Sequence, residues 1–309
     1  MLDIVLRDAI TYSSLLILMS TGLTLTYITT KVPNFAFGAF ATIGGYMVLT
    51  GAKLLGMNPY LCLPLASIAG ALAALSLYLF ILKPLTKRGG SFVLLTASTV
   101  GFEMIVLALI NIYADYLSRV HKIFSRDFLL RSLDFKFMDL PGIFIVSSAA
   151  MLVLVLALHL FLTRTKFGVA MRAAIENPSL AGVVGIDVNK VYTISWIIAG
   201  LLAGLAGGLL SMYVIGTPLM GSNLLPSIFA ASVVGGLSNI YGAMLGGALM
   251  GLSEIYGITM VSYQFGGEII AYRPIIPLIV MAVTLLVAPT GLTGINWAAI
   301  KRALRGKKD

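Results

Sequence analysis

A chain of 309 residues in which 59% are hydrophobic and 11% charged, with a mean hydropathy of +1.00, is not a soluble globular protein, where charged residues alone make up roughly 25%. The formal net charge of +9 would point to nucleic acid in a soluble domain. Here the basic residues gather at the edges of apolar segments, where cytoplasmic loops and anionic headgroups account for them, and no nucleic-acid partner is expected.

A bilayer crossing needs a helix of about 20 mainly apolar residues, because unpaired backbone groups are costly in hydrocarbon. The opening MLDIVLRDAI lacks a basic start followed by a cleavable apolar core, so the first apolar segment reads as a retained span. Spans are expected at 9–29, 34–52, 59–82, 91–112, 141–163, 191–214, 224–237, 240–258 and 271–289. The segment 224–237 is only about 14 residues long, short for a crossing. Gly235, Gly236, Asn239 and Gly242 mark its junction with the next. The two read either as full spans or as discontinuous helices meeting within the membrane. The expected fold is an all-α polytopic membrane protein, a single transmembrane domain over 1–309, built as a helical bundle of about 8–9 segments, some short or discontinuous.

The number of crossings is odd, nine or seven, so the termini fall on opposite sides. Placing the C-terminus inside puts Lys31, Lys83, Lys87, Arg88, the loop 163–190 and the basic tail 297–309 in the cytoplasm, with thirteen of the twenty-one basic residues. The N-terminus is then outside, as is the loop 113–140, whose five basic residues are nearly balanced by Asp115, Asp127, Asp134 and Asp139. A loop of about 28 residues is usually functional or disordered.

The stretch Lys31 to Met47 places Pro33 and Asn34 at the start of a span, then Phe35, Phe37 and a run of small residues. Asn34 and Thr42 offer polar contacts, Phe35 and Phe37 apolar walls, and Gly38, Gly44 and Gly45 close approach or unwinding, which would suit a substrate path. The same pattern fits an ordinary span with proline in its first turn.

The loop 163–190 carries Arg164, Lys166, Arg172 and Lys190 against Glu176 and Asp187. Its residues predict a short helix around Met171 to Ile175, a break at Asn177, and a second short helix opening at Pro178. So much helix in a connecting loop points to a docking surface.

Gly200, Gly204 and Gly208 repeat at i, i+4, i+8, and Gly242 with Gly246 continues the theme on a later span. Such stripes let helix backbones approach closely, either within one chain or at a dimer seam. Ionisable residues inside spans are costly and mark pathways or partners; Glu103 and Glu254 are the clear cases, each suited to an interhelical hydrogen bond or to a path.

No G-x-x-x-x-G-K-[ST] stretch occurs, so the chain has no P-loop of its own. His121 and His159 lack a second ligand at helical spacing, the single Cys62 excludes a disulfide or thiolate cluster within the chain, and no Ser–His signature is present. Catalytic, metal and cofactor sites are therefore not expected.

Three stretches, taken in order, resemble the permease subunits of branched-chain amino acid ABC importers, the LivH type. They are Gly22-Leu23-Thr24-Leu25 through Pro33-Asn34-Phe35-Ala36-Phe37-Gly38 to Gly44-Gly45-Tyr46; Phe167-Gly168 with Arg172-Ala173, Asn177, Ala181 and Gly185-Ile186; and Val234-Gly235-Gly236 with Asn239, Gly242, Gly246-Gly247 and Gly251. One position departs, since many members have His where this chain has Phe37. The resemblance implies a non-enzymatic inner-membrane subunit that imports branched-chain amino acids, or related small amino acids and amides. It implies a second permease subunit, identical or not, two cytoplasmic ATP-binding subunits and an external substrate-binding protein. Phe167, Gly168, Arg172, Ala173, Ala174, Glu176, Asn177, Pro178 and Gly185 would then lie at the ATPase contact. The path would involve Asn34, Phe35, Phe37, Gly38, Thr42, Gly44, Gly235, Gly236, Asn239 and Glu254. The alternative is an ion-coupled transporter or channel using Glu103 or Glu254.

Overall fold

Long runs without charge leave the backbone nothing to bond but itself, and helices follow. The computed structural model describes residues 2–288 and 291–294; the tail 297–309 lies outside them. The chain opens with α1, Leu2–Thr30, and α2, Phe37–Lys53. A short 3-10 turn, α3 (Leu63–Ser76), a π-helical segment at Leu77–Leu82 and α4 (Lys83–Lys87) run together as one span, Pro59–Lys87. Next come α5, Phe92–Val120, a small antiparallel pair β1 (Lys136–Phe137) and β2 (Leu140–Pro141), and α6, Gly142–Arg164. Two short helices, α7 (Lys166–Glu176) and α8 (Pro178–Val183), lead into α9, Val188–Tyr213. The chain continues through α10, Leu225–Gly235, and α11, Ile240–Leu252. A second π segment, Ser253–Gly257, joins α11 to α12, Ile258–Phe265, and α13 is Ile275–Val287.

Each of the nine expected spans overlaps a helix, and among the described residues six helical stretches are long and apolar enough to cross a membrane. The helix expected to stop at 112 continues to Val120. The segment 224–237 is short, as its length suggested, and α13 is likewise a short apolar helix. The protein is a polytopic helical membrane protein.

Burial ranks the helices. In α1, 94% of the most apolar stretch is buried, against 22% in α5 and 17% in α6. α1 is thus the central strut, packed on α6, α9, α10 and α11, while α5 and α6 stand at the periphery. α9 is held between α1, α2 and α3 by close backbone approach. A methyl group added at Gly44 or Gly70 would collide with the backbone of Gly204, and one at Gly204 would collide with the Ala66 carbonyl. Without hydrophobic drive between helices in lipid, this proximity is what lets dispersion and weak backbone contacts hold them.

The connection after α5 is anchored rather than loose. Tyr46 donates from its hydroxyl to the Ser125 carbonyl at 2.6 Å, Tyr60 to the Asp134 carboxylate at 2.5 Å, and the Ile143 N–H to the same carboxylate at 3.2 Å. Phe128 and Gly216 exchange backbone hydrogen bonds, pinning this connection to the segment after α9.

Candidate functional site

The two helices between α6 and α9 are set by side-chain caps at each start. Thr165 accepts from the Gly168 N–H at 3.1 Å, Asn177 from the Leu180 N–H at 3.0 Å, and Asp187 from the Lys190 N–H at 3.1 Å. Each cap satisfies a donor that the helix itself leaves free, for about 1 kcal/mol. Asn177 also ends α7, its own N–H reaching the Ala173 carbonyl at 3.0 Å, so one residue serves as hinge between the two helices. Gly185, at φ +86°, turns the chain from α8 toward α9 in a conformation that favours glycine. At Asp187, the Lys190 N–H and then the Lys190 ammonium hold the carboxyl below the usual carboxylate range.

This helix pair has a buried underside and an open top. Gly168, Met171 and Ala174 are buried, with Gly168 packed on the Leu162 backbone. Phe167 tilts against Phe161 at 5.2 Å between ring centroids and Ala173 is half-buried, while Arg172, Glu176, Asn177, Pro178 and Gly185 are exposed. Arg172 turns back to donate to the Leu162 carbonyl at 3.0 Å, capping the last turn of α6.

Beside this face lies the α10–α11 junction. Asn239 accepts from the N–H groups of Tyr241 and Gly242 at 2.9 and 3.2 Å, starting α11. Gly236 takes φ +102°, and Gly235 and Gly242 touch backbone to backbone, so the two helices fold into a tight hairpin. Gly246 continues the contact against Ala231. Arg172 and Glu176 from α7, with Ser238 and Asn239 from the hairpin, line one cleft of about 230 Å³. The structure therefore joins residues the sequence analysis kept in separate groups. His159 of α6 and Tyr241 of α11, 3.0 Å apart, tie the same corner together, a contact the sequence did not signal.

The start of α2 is packed more tightly than a path in this conformation requires. Phe37 is buried against Gly22 and Phe40; Gly38 meets Gly221; Gly44 meets Gly204. Thr42 donates to the Gly38 carbonyl and accepts from the Gly221 N–H, both at 3.1 Å. Phe35 is 36% exposed and borders an apolar cavity of about 420 Å³ with Phe229 and Leu278. Asn34 is fully buried, and among the described residues neither of its amide atoms has a hydrogen-bond partner. The glycines of both stripes face helices of the same chain: Gly200 and Gly204 meet α3, Gly208 meets Leu63, Val48 and Ala66, and Gly242 and Gly246 meet α10.

The two intramembrane acids differ sharply. Glu103 is half-buried on peripheral α5, and no hydrogen bond or ion pair among the described residues reaches it. Glu254 is 2% exposed, in the π segment after α11. It accepts from the Tyr12 hydroxyl at 2.9 Å and lies 3.6 Å from Arg273 Nε. The Arg273 guanidinium sits 4.4 Å over the Tyr12 ring, a cation–π contact. Ser227 of α10 adjoins the carboxylate, although among the described residues Oε1 has no partner in hydrogen-bond geometry. Arg273 was not among the residues picked out from the sequence; a lone arginine at the start of the expected 271–289 span, where an unpaired charge is costly, is the signal for a counter-ion. Among the described residues no three His, Cys, Asp or Glu come together as metal ligands.

Against known proteins, residues 5–288 match the family described as "Branched-chain amino acid transport system / permease component". A protein of Methanocaldococcus jannaschii described as "Probable branched-chain amino acid transport permease protein LivH" is 46% identical over 300 residues, covering 97% of this chain and 95% of its own. The LivH "high-affinity branched-chain amino acid transport system permease protein" of Escherichia coli K12 is 27% identical, covering 93% and 94%. Among solved structures, PsaBC from Streptococcus pneumoniae in complex with Fab superposes with a TM-score of 0.52 at 14% identity, covering 93% of this chain and 92% of that one, and so shares the fold.

Proposed function

The chain belongs to the branched-chain amino acid transport permease family, and from that premise we propose that it is the membrane subunit of an importer driven by ATP hydrolysis on separate cytoplasmic subunits. Its substrates are branched-chain amino acids or related small amino acids and amides. An external binding protein delivers them, and a second permease subunit completes the path across the bilayer. The N-terminus lies outside, and α7, α8 and the C-terminus face the cytoplasm, as the lysine and arginine distribution favours.

The observation that carries the reading is the capped α7–α8 pair, exposed on one side and sharing a cleft with the α10–α11 hairpin on the other. An ATP-binding subunit seated on Arg172, Ala173, Glu176, Asn177 and Pro178 would push on α7. The Arg172 bond to α6 and the Asn239 junction would pass that movement to helices that border the apolar cavity at Phe35. Nucleotide can shift the inward and outward populations only by its differential affinity for the two states. A rigid, capped connector is what delivers such a difference across a distance. Glu254, already matched by Tyr12 and Arg273, speaks for an interhelical role over the ion-coupled alternative.

The test is leucine uptake into proteoliposomes holding both permease subunits, with the binding protein outside and the ATPases present or omitted. Uptake is expected only with the ATPases and ATP. Uptake that persists without them, driven by an imposed proton or sodium gradient, overturns the reading.

A further inference from the structure

Three lysines from two separate parts of the chain line a cavity of about 380 Å³ with no acid in its walls. Lys31 follows the last turn of α1; Lys83 and Lys87 stand one turn apart on α4. None of the three forms an ion pair among the described residues. Two local features aim them. Lys31 is fixed at φ 57°, its N–H on the Tyr27 carbonyl at 2.6 Å. The π segment Leu77–Leu82 runs directly into Lys83, whose N–H bonds the Tyr78 carbonyl five residues back, and Lys83 and Lys87 line the same cavity as Tyr78, whose ring stacks on Trp196. Asn189, in the first turn of α9, adds a side-chain amide to the same wall.

Lys31 and Lys87 are exposed and Lys83 half-buried, and like charges that line one cavity repel one another unless an anion joins them. A zwitterionic amino acid does not fit, since no carboxylate is present to take its ammonium group. Lysine binds phosphate as a point charge, and basic pockets between membrane helices are suited to phosphate-bearing headgroups. We propose that Lys31, Lys83 and Lys87, assisted by Asn189, form a binding site for a phosphate group, supplied either by an anionic lipid headgroup or by free phosphate. The site is independent of the transport reading above.

The test uses the full chain purified in detergent, its thermal unfolding followed with added phosphatidylglycerol, with phosphatidylcholine, or with inorganic phosphate against chloride at equal ionic strength. Phosphatidylglycerol or inorganic phosphate is expected to raise Tm, and phosphatidylcholine to do so less. A rise with phosphatidylglycerol alone assigns the phosphate to a headgroup; a rise with inorganic phosphate as well assigns it to the free ion. K83Q/K87Q should raise the half-saturating concentration by about tenfold or more. K83R/K87R should restore it, and R164Q/K166Q should leave it unchanged. Count of bound phospholipid by native mass spectrometry reads the same site if a variant is too unstable to melt cleanly. No rise with either anion, or an equal rise in wild type and K83Q/K87Q, overturns the proposal and leaves the lysines to acidic side chains of a partner subunit.

Discussion

Tyr12 and Glu254, 242 positions apart, meet through a hydrogen bond of 2.9 Å inside the helical bundle. Arg273 completes the group, against the carboxylate on one side and the phenol ring on the other. A carboxylate so far from water is tolerated when paired, and removing one partner leaves the other uncompensated, at a cost of about 3–5 kcal/mol.

The first prediction follows from that pairing. Glu254→Gln and Arg273→Met should each lower the thermal stability of the detergent-solubilised protein, while the double variant should lose less than the sum. A double-mutant cycle reads the coupling, expected at about 1–3 kcal/mol. Additive losses would show that the two side chains do not depend on each other.

A second prediction concerns the backbone contact between α9 and α3. Gly204→Val places a branched side chain against the Ala66 carbonyl, and no rotamer relieves a clash made at Cβ. Overpacking of about 1–3 kcal/mol or more should reduce the monodisperse fraction on size exclusion severalfold. Gly182→Ala, where nothing lies within 4 Å of the added carbon, should leave that fraction unchanged.

The hinge between α7 and α8 separates coupling from folding. Asn177→Ala removes the α8 cap, for about 1 kcal/mol, Glu176→Ala removes an exposed group on the same face, and Arg172→Ala removes the bond to the Leu162 carbonyl at the end of α6. All three should reach the membrane in normal amounts yet lower ATP-driven uptake by about tenfold. Equal losses of assembled protein and of uptake would assign these residues to structure.

Acid should loosen the start of α9. The folded protein holds the Asp187 carboxyl below its usual range through the Lys190 N–H. Its contribution is therefore present above the pKa of the unfolded chain and is lost as pH falls through the depressed folded value. Exchange of the Lys190 amide, corrected for intrinsic chemistry, should accelerate in that acid window in wild type and stay flat in Asp187→Asn, whose amide oxygen still caps.

Much of this architecture was readable along the chain because lipid permits so few solutions. The division at Asn177 and Pro178 was legible because a capping residue followed by proline both starts a helix and forbids continuation of the one before it. The short α10 was legible from its length and from the glycines that follow. The extra turns of α5 were not, since Tyr113, Asp115, Tyr116, Ser118 and Arg119 read as loop although the helix carries them past its apolar stretch. Nor did the glycine stripes reveal their partners: Gly204 announces a close approach, but only the tertiary structure says that Gly44 and Ala66 make it. The partners of Glu254 were hidden for the same reason, being separated in sequence and joined only by packing.

The π segments at Leu77–Leu82 and Ser253–Gly257 bear on how relatives are compared. A π turn holds one residue more than the α turn it replaces, so losing that residue would leave an unbroken helix. Loss of one residue is therefore tolerable in the middle of these two membrane helices, where a deletion would ordinarily rotate everything beyond it. Forcing an ungapped match there would move Lys83 and Glu254 onto the wrong faces of their helices.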